Sequence, residues 1–251
     1  MLSKLRNLKR LLPLLLDVRA VKAMATWPEF SITAYKMVSD LDKQNIQPRT
    51  LIDVGANIGQ FTIAAINIFD NLDVHAFEPI KACADQLRAN VSGYDDVQIN
   101  ALALGARCEK SAFHINTYSL ASSMLRISNK HLSEFSQATE KNTITIEVST
   151  LDDHFSNKAL LSPVLLKIDV QGAEKCVIEG GTKTLKQVDY VLLETSFTPM
   201  YEGEPLFIEL IETMKSFKFE FLRPLAFLKS PKSGEILQAD ILFKNSGIRV
   251  S

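Results

Sequence analysis

From residue 50 onward, short apolar runs alternate with segments in which apolar residues recur every three or four positions. Runs of β-branched and aliphatic residues are typical of strands, and the longer spacing predicts amphipathic helices. Helices are therefore expected near residues 58–69, 80–90, 173–186 and 204–216. The predicted strands are TLIDV (50–54), DVHAFE (73–78), VQINALAL (97–104), SAFHI (111–115), TITIEV (143–148), VLLKIDV (164–170), DYVLLE (189–194), KFEFL (218–222) and EILQADILFK (235–244).

Strands that alternate with helices predict an α/β fold with a parallel, doubly wound sheet. The last two predicted strands are separated by about a dozen residues, which is too short a connection for a crossover helix. We therefore expect them to form an antiparallel hairpin at the edge of the sheet. Sheets of this kind bind ligands at the carboxyl ends of their strands.

Residues 1–47 are predicted to form a helical extension before a domain that covers residues 48–251. The first 25 residues carry six basic side chains and one acid, and their apolar run LLPLLL is too short to span a membrane. We expect an arm that packs on the domain or on a partner subunit of a homo-oligomer, and contact with an anionic membrane surface is the alternative. A lead-in helix is predicted within residues 29–45. The polar stretch 117–142 is interpreted as a lid or an acceptor-binding insertion.

Composition narrows the classes of function. The chain has 251 residues and a formal charge of −1, so no basic field favours nucleic acid as a partner. The three cysteines, Cys83, Cys108 and Cys176, are odd in number and far apart. Structural disulfides are therefore not expected, and a location in the cytoplasm, or at the inner face of the membrane, is the prediction.

The stretch TLIDVGANIGQFTIAA (50–65) predicts a buried strand, a glycine turn and a helix. Gly55 permits the tight turn, and Gly59 is expected to let the helix lie close to the sheet. Because Asn57 stands where a dinucleotide-binding turn has its second glycine, this turn suits an amino-acid-like group better than a diphosphate. A turn whose glycines serve packing alone is the alternative.

Glu78 ends the next predicted strand, 25 residues after Asp53. An acid at this place can accept hydrogen bonds from both hydroxyls of a ribose, so a nucleoside ligand is indicated. The alternative is an acid that stabilises a helix N-terminus, since Pro79 follows it directly.

Three further acids, Asp169, Glu174 and Glu194, follow two later strands. Acids that converge on one cleft can orient a substrate hydroxyl, accept its proton or hold a divalent cation, although no metal is predicted here. Each acid could instead cap a helix or bind loop amides.

The motifs LIDVGANIGQFTIAA, AFEP, ASSML, LKIDVQGAE, IEGG and LLET occur in a characteristic order. In order and spacing the chain resembles the FkbM-type S-adenosylmethionine-dependent methyltransferases over roughly residues 48–245. The resemblance implies the class I methyltransferase fold, a Rossmann-like, doubly wound, seven-stranded sheet that is mostly parallel with an antiparallel last strand. It also implies S-adenosylmethionine as the cofactor and a small molecule or glycan as the methyl acceptor.

The resemblance also implies roles for individual residues. The glycine turn would frame the methionine part of the cofactor, and Glu78 would hold the ribose. Leu102 and Ala103 would lie against the adenine. Asp169 and Gln171 would stand near the sulfonium, where the acceptor arrives. The complete predicted cofactor site is Asp53, Gly55, Ala56, Asn57, Gly59, Glu78, Pro79, Leu102, Ala103, Asp169 and Gln171.

The predicted reaction is methyl transfer to a hydroxyl of a glycan, a glycolipid or another secondary metabolite. Asp169 is the first candidate to receive the hydroxyl proton, Glu194 the second and His131 the third, with a solvated loop histidine as the alternative for His131. Predicted acceptor-binding residues are Ser122, Ser123 and Glu174. A nicotinamide-dependent oxidoreductase and a non-catalytic cofactor-binding module of the same fold are the alternative functions. The remaining histidines, expected to be structural, are His75, His114 and His154.

Overall fold

The computed structural model describes residues 14–135, 137 and 139–247. The strands in this part are β1 (Thr50–Val54), β2 (Asp73–Phe77), β3 (Val97–Asn100), β4 (Ala103–Leu104), β5 (Glu109–Asn116), β6 (Glu140–Ser149), β7 (Val164–Ile168), β8 (Tyr190–Ser196), β9 (Phe219–Lys229) and β10 (Ile236–Asn245). The α-helices are α1 (Val18–Thr26), α2 (Ile32–Lys43), α3 (Gln60–Ile68), α4 (Lys81–Asn90), α5 (Asn129–Glu134), α6 (Leu151–His154), α7 (Glu174–Glu179) and α8 (Phe207–Ser216). Single 3₁₀ turns lie at Leu14–Leu16, Ser119–Ala121 and Thr184–Gln187.

Seven strands form the main sheet in the order β3-β2-β1-β7-β8-β10-β9. Neighbours from β3 to β8 are parallel, whereas β10 lies antiparallel between β8 and β9. The predicted fold class, a doubly wound sheet with an antiparallel last strand, is confirmed. The strand order reverses between β1 and β7, and open α/β sheets bind ligands at such a switch point.

Helices cover both faces of the sheet because its central strands are buried on both sides. Leu51 and Ile52 are adjacent in β1 and point to opposite faces, since side chains alternate along a strand. Leu51 packs with residues of α2 and α3, and Ile52 packs with residues of α7 and α8. Both side chains are fully buried, so the sheet forms a rigid platform for the loops at its carboxyl edge.

One strand predicted from the sequence is wrong. The segment 97–104 forms two strands instead of one, because the chain leaves the main sheet after Asn100. The second piece, β4, pairs with β6 in a separate three-stranded sheet of order β4-β6-β5. The polar insertion connects β5 and β6 of this small sheet, and its Ser123 hydroxyl bonds to the backbone carbonyl oxygen of Gln171 after β7.

The predicted hairpin at the sheet edge is present, with longer strands than expected. β9 extends to Lys229, so only residues 230–235 connect it to β10. The helix predicted over 173–186 is shorter, since α7 ends at Glu179, Gly180 is its C-cap and a 3₁₀ turn follows at Thr184–Gln187. Gly180 has little room for a side chain, because a Cβ there would overlap the carbonyl oxygen of Gly105.

Helix α1 packs on the lead-in helix α2. Ala20 and Ala23 of α1 are buried against Tyr35, whose hydroxyl donates a 2.8 Å hydrogen bond to the Asp17 carboxylate. Residues 1–13, which carry most of the basic charge of the predicted arm, lie outside the described residues. The division at residue 47, the membrane contact and the homo-oligomer therefore stay predictions. Within the described chain, no helix combines the length and the apolar character that a bilayer crossing requires.

Three of the four histidines are held in structural contacts, as expected. His75 and His154 pack with Phe77 and Phe155, and burial lowers the pKa of both imidazoles, that of His154 to about 4. His114 lies in β5, within 3.2 Å of a Glu140 carboxylate oxygen.

Candidate functional site

A cavity opens at the carboxyl ends of β1, β2 and β7, where the strand order reverses. About 590 Å³ of empty space, part of which is open solvent, lies between its lining residues. Eight of the eleven predicted cofactor residues line the cavity: Gly55, Asn57, Glu78, Pro79, Leu102, Ala103, Asp169 and Gln171.

 The other three predicted cofactor residues, Asp53, Ala56 and Gly59, do not line the cavity.

The glycine turn after β1 forms the floor of the cavity. Gly55 adopts a left-handed conformation with φ of 82°, and a Cβ at this position would overlap the carbonyl oxygen of Asp169. Gly55 is therefore needed both for its backbone conformation and for the close approach of the loop after β7. Asn57 is also left-handed, with φ of 51°, a conformation that asparagine tolerates better than most residues.

Gly59 and Ala56 support the turn from behind. Gly59 has φ of 97° and stands directly before α3. A Cβ on Gly59 would overlap the side chain of Leu87 in α4, so this glycine permits contact between two helices, whereas the sequence suggested contact between a helix and the sheet. Ala56 is buried in the core cluster beneath α3.

Asp53 is fully buried, and its carboxylate is engaged within the protein. It accepts a 2.7 Å hydrogen bond from the Thr62 hydroxyl of α3 and lies 3.3 Å from the Lys167 ammonium of β7. These contacts join β1, α3 and β7 beneath the turn. Direct contact of Asp53 with a cofactor stays a prediction, and its present contacts position the turn.

Glu78 joins the second strand to the glycine turn. Its two carboxylate oxygens accept hydrogen bonds from the backbone amides of Asn57 (2.9 Å) and Ile80 (2.7 Å). Glu78 can therefore both stabilise the start of α4 and bind a ribose, because each carboxylate oxygen keeps a second lone pair. Burial raises the pKa of Glu78 to about 7, although the two amide bonds oppose the shift.

The wall beyond Glu78 is apolar. Leu102 and Ala103, predicted to face an adenine, lie there, and the insertion adds side chains that sequence reasoning missed. Phe113 of β5, Leu120 of the 3₁₀ turn and Met124 complete this wall. Their place depends on the separate sheet, whose pairing links β4 to a strand about 40 residues later.

Asp169 and Gln171, in the loop after β7, also line the cavity, and their place near a sulfonium stays a prediction. The Gln171 amide nitrogen donates to Asp169 Oδ1 at 2.6 Å and to Glu194 Oε2 at 2.9 Å. The Gln171 amide oxygen accepts a 2.6 Å hydrogen bond from the Tyr201 hydroxyl. Asp169 lines the cavity, whereas Glu194 reaches it only through this glutamine.

A buried lysine lies under these acids. The Lys167 ammonium is within 3.4 Å of Asp169 and 3.3 Å of Asp53. Burial alone would lower the pKa of Lys167, but the surrounding carboxylates raise it above its ordinary value. Lys167 was not predicted, because a lysine in the middle of an apolar strand gives no signal of its partners.

Two further acids, on neighbouring antiparallel strands, belong to this cluster. Glu194 of β8 pairs in register with Asp240 of β10. Burial raises the pKa of Asp240 to about 7, and burial together with Asp169 and Asp240 raises the pKa of Glu194 well above its usual range. The region around Lys167 is thus rich in carboxyl groups, and the raised pKa values of Glu194 and Asp240 favour the uncharged forms of these two.

The predicted acceptor-binding residues separate into two groups. Ser122 lines the cavity, and its hydroxyl accepts a hydrogen bond from the Asn116 amide. Ser123 is fully buried and donates a 2.6 Å hydrogen bond to the Gln171 carbonyl oxygen. Glu174 is also buried and accepts from the amides of Val170 and Gly172, so it shapes the loop after β7. Acceptor contacts by these residues stay predictions.

His131 lies outside the cavity wall. The solvated alternative is wrong, because the imidazole is only 7% exposed and packs against the rings of Phe135 and Tyr201. Burial lowers its pKa. His131 therefore touches the site only through Tyr201.

A search of the residues that the structure describes finds no group of three or more His, Cys, Asp or Glu side chains arranged to hold a metal ion.

The model of the methyltransferase FkbM domain matches residues 53–221, about two thirds of the chain, and this span includes both sides of the cavity. The chain belongs to the FkbM methyltransferase family. This membership agrees with the resemblance seen in the sequence motifs, and it confirms that the protein is a methyltransferase.

A curated relative of this FkbM methyltransferase is the 2-O-methyltransferase NoeI of Sinorhizobium fredii (strain NBRC 101917 / NGR234). The two sequences are 28% identical over 199 residues, which is 76% of this chain and 80% of the relative.

Two solved structures are similar at 10% identity. Magnesium protoporphyrin IX methyltransferase (ChlM) from Synechocystis PCC 6803, with bound SAM, has a TM-score of 0.47 and covers 86% of this chain and 81% of its own. The Methanococcus jannaschii fibrillarin pre-rRNA processing protein also has a TM-score of 0.47, over 80% of this chain and 68% of its own. Because both TM-scores lie below 0.5, these likenesses add nothing to the family assignment.

Proposed function

We propose that this FkbM methyltransferase binds S-adenosylmethionine in the cavity at the carboxyl edge of the sheet. It transfers the methyl group to a hydroxyl oxygen of a glycan, a glycolipid or another secondary metabolite. The observation that carries the proposal is the place of Glu78, a buried carboxylate that lines the same cavity as the glycine turn and an apolar wall.

The residues of the cavity fit the parts of this cofactor. Glu78 keeps a lone pair on each oxygen for the two ribose hydroxyls. The apolar wall of Leu102, Phe113 and Met124 suits an adenine ring. The turn at Gly55 brings backbone groups close enough to meet an amino-acid moiety, because no side chain intervenes.

S-adenosylmethionine would supply an electrophilic methyl group carried on a sulfonium. The chain's own residues align the acceptor and take its proton. Asp169 is the group for this task, since its carboxylate lines the cavity and each oxygen has a lone pair besides its bond to Gln171 or Lys167. Glu194 is the weaker candidate because Gln171 lies between it and the cavity.

An oxygen acceptor is supported by the relative, which is described as a 2-O-methyltransferase. The polar insertion also supports it, since Ser119 and Ser122 line the cavity and hydroxyl side chains bond well to sugars. Family membership argues against the nicotinamide-dependent alternative.

The proposal is tested by methyl transfer. The protein is incubated with S-adenosylmethionine labelled in its methyl group and with octyl glycosides of glucose, galactose and mannose, and the products are separated. We expect a labelled methyl ether. An Asp169→Asn variant should still bind the cofactor and should lose about 10²-fold or more in rate, the size of a general-base contribution. The exposed Asp85→Asn serves as the matched control.

Two results would contradict the proposal. Label on a nitrogen or sulfur atom of a peptide or nucleic acid, with none on any glycoside, would exclude the hydroxyl of a glycan or similar metabolite as the methyl acceptor. Wild-type turnover preserved in Asp169→Asn would remove Asp169 as the proton acceptor.

A further inference from the structure

Tyr201 is buried behind the cavity, in the loop between β8 and α8. Its side chain is fully inaccessible to solvent, and its hydroxyl lies 2.6 Å from the Gln171 amide oxygen. The carbonyl oxygen of Ala121 is farther, at 3.3 Å. Because a tyrosine hydroxyl donates a single hydrogen, the shorter contact to Gln171 is the one that it serves.

This contact fixes which way the Gln171 amide points. With the amide oxygen accepting from Tyr201, both hydrogens of the nitrogen are free for Asp169 and Glu194. The opposite orientation would set the amide oxygen against the Asp169 and Glu194 carboxyl groups, and the Tyr201 hydroxyl would have to donate to the Ala121 carbonyl oxygen at 3.3 Å instead. Both amide hydrogens and one of the two lone pairs of the amide oxygen are thus used, and Tyr201 selects this arrangement.

The backbone of Gln171 is held separately. It adopts a left-handed φ of 59°, and its carbonyl oxygen accepts the hydrogen bond from Ser123. The amide side chain therefore depends on Tyr201 for its orientation, while Ser123 maintains the loop.

Tyr201 is itself firmly placed. Its backbone amide donates a 3.0 Å hydrogen bond to Glu204, and its ring packs edge-on against His131 with 5.4 Å between ring centroids. Burial and the charges of Glu194 and Asp169 raise the pKa of Tyr201 well above its usual range. The hydroxyl consequently keeps its hydrogen throughout the pH range in which the protein is handled.

We propose that Tyr201 is a positioning residue of the methyl-transfer site, which orients the Gln171 amide and through it holds the Asp169 carboxylate at the cavity. This inference rests on the proposed function for its catalytic consequence. Its structural part, the coupling of Tyr201 to Gln171, does not depend on any acceptor.

The first test replaces Tyr201 by phenylalanine, which keeps the ring and its packing and removes only the hydroxyl. The rate of methyl transfer to the octyl glycosides should fall about tenfold to a hundredfold, because small misplacement of a catalytic group has effects of this size. The Kd for S-adenosylmethionine should change less than about twofold, since the hydroxyl does not line the cavity. Tyr118→Phe, which removes the hydroxyl of an exposed tyrosine, is the matched control.

If Tyr201 only stabilised the fold, Tyr201→Phe would leave the pH dependence of the methyl-transfer rate unchanged. Amide hydrogens that point at a carboxylate favour its ionised form, so loss of their orientation should move the acidic limb of the rate profile to higher pH in Tyr201→Phe. In a Gln171→Ala background the same substitution should cause no further loss, because both changes remove one pathway. Losses that multiply in the double variant would overturn the proposal.

The second test needs neither cofactor nor acceptor. With ¹⁵N-labelled glutamine, the side-chain NH₂ signals of Gln171 are identified by their absence in Gln171→Ala. We expect these signals to move or broaden in Tyr201→Phe and to stay in place in Tyr118→Phe. Unchanged signals in Tyr201→Phe would overturn the proposal. Failure of methyl transfer alone would count against the proposed function and leave this result intact.

Discussion

Gly55 shows how much of the site depends on a single residue. Its φ of 82° demands a residue that tolerates the left-handed region, and the carbonyl oxygen of Asp169 occupies the space that a side chain would need. The two requirements can be separated, because Gly203 has a similar φ of 75° with no atom within 4 Å of a Cβ. A side chain at Gly203 is opposed only by the backbone conformation, whereas a side chain at Gly55 is opposed by the conformation and by the contact with Asp169.

Substitution of these two glycines by alanine should therefore have unequal effects. Gly203→Ala should cost about 1 kcal/mol in the free energy of unfolding, the usual penalty for a left-handed alanine. Gly55→Ala should cost at least about 3 kcal/mol, because the loop after β7 must also move. Urea denaturation of both variants measures the difference. Equal losses would show that Asp169 does not press against the turn.

At the residue scale, the sequence predicts those site residues that belong to a motif or follow the end of a predicted strand. Gly55, Glu78 and Asp169 line the cavity as expected. Lys167 and Tyr201 were missed, since the first lies inside an apolar strand and the second in a loop after β8. Their roles arise from partners that are distant in the chain, which no local pattern reveals.

At the scale of elements, strands that pair within the main sheet were predicted best. β1 has the predicted bounds because its apolar run is flanked by polar residues and a glycine turn. The segment 97–104 was misread because its apolar residues continue past Asn100, where the chain changes sheets. A pattern of apolar residues shows that a strand is buried, but it does not show which sheet buries it.

The polar stretch 117–142, which runs from the end of β5 to the start of β6, illustrates the same limit. Its polar composition indicated a lid or an acceptor-binding segment, and residues of the 3₁₀ turn do line the cavity. The sequence could not show that β4, β5 and β6 form a sheet of their own, because β4 has only two residues. The apolar wall that this sheet supplies was therefore found only in the structure.

At the scale of the whole molecule, several acidic side chains are buried around the cavity. Burial raises the pKa values of Glu78, Glu174 and Asp240 to about 7. A carboxyl whose pKa is higher in the folded state stabilises the fold below its unfolded pKa, and this contribution is lost as the pH rises through about 7. The buried histidines, whose pKa values are lowered, act in the opposite direction below about pH 6.5.

Replacing Glu174 by glutamine measures the contribution of this one acid to the pH dependence of stability. The amide oxygen can still accept from Val170 and Gly172, but the side chain no longer titrates. Relative to Glu174→Gln, the wild type should lose stability as the pH rises from 5 to 8, by about 1.4 kcal/mol for each unit of pKa shift. Urea denaturation at several pH values measures this, with Glu179→Gln of the same helix as the control. A difference that is constant with pH would contradict the account.

The central claim is that the cavity holds S-adenosylmethionine with its ribose on Glu78. Isothermal titration of S-adenosylmethionine at pH 8, where a carboxyl with a pKa of about 7 is mostly ionised, tests it most directly. Wild type and the control Glu202→Ala, an exposed acid, should bind equally. Glu78→Ala should bind about tenfold to a hundredfold more weakly, the worth of hydrogen bonds to a charged group. No heat from the wild type, or equal Kd values for wild type and Glu78→Ala, would contradict it.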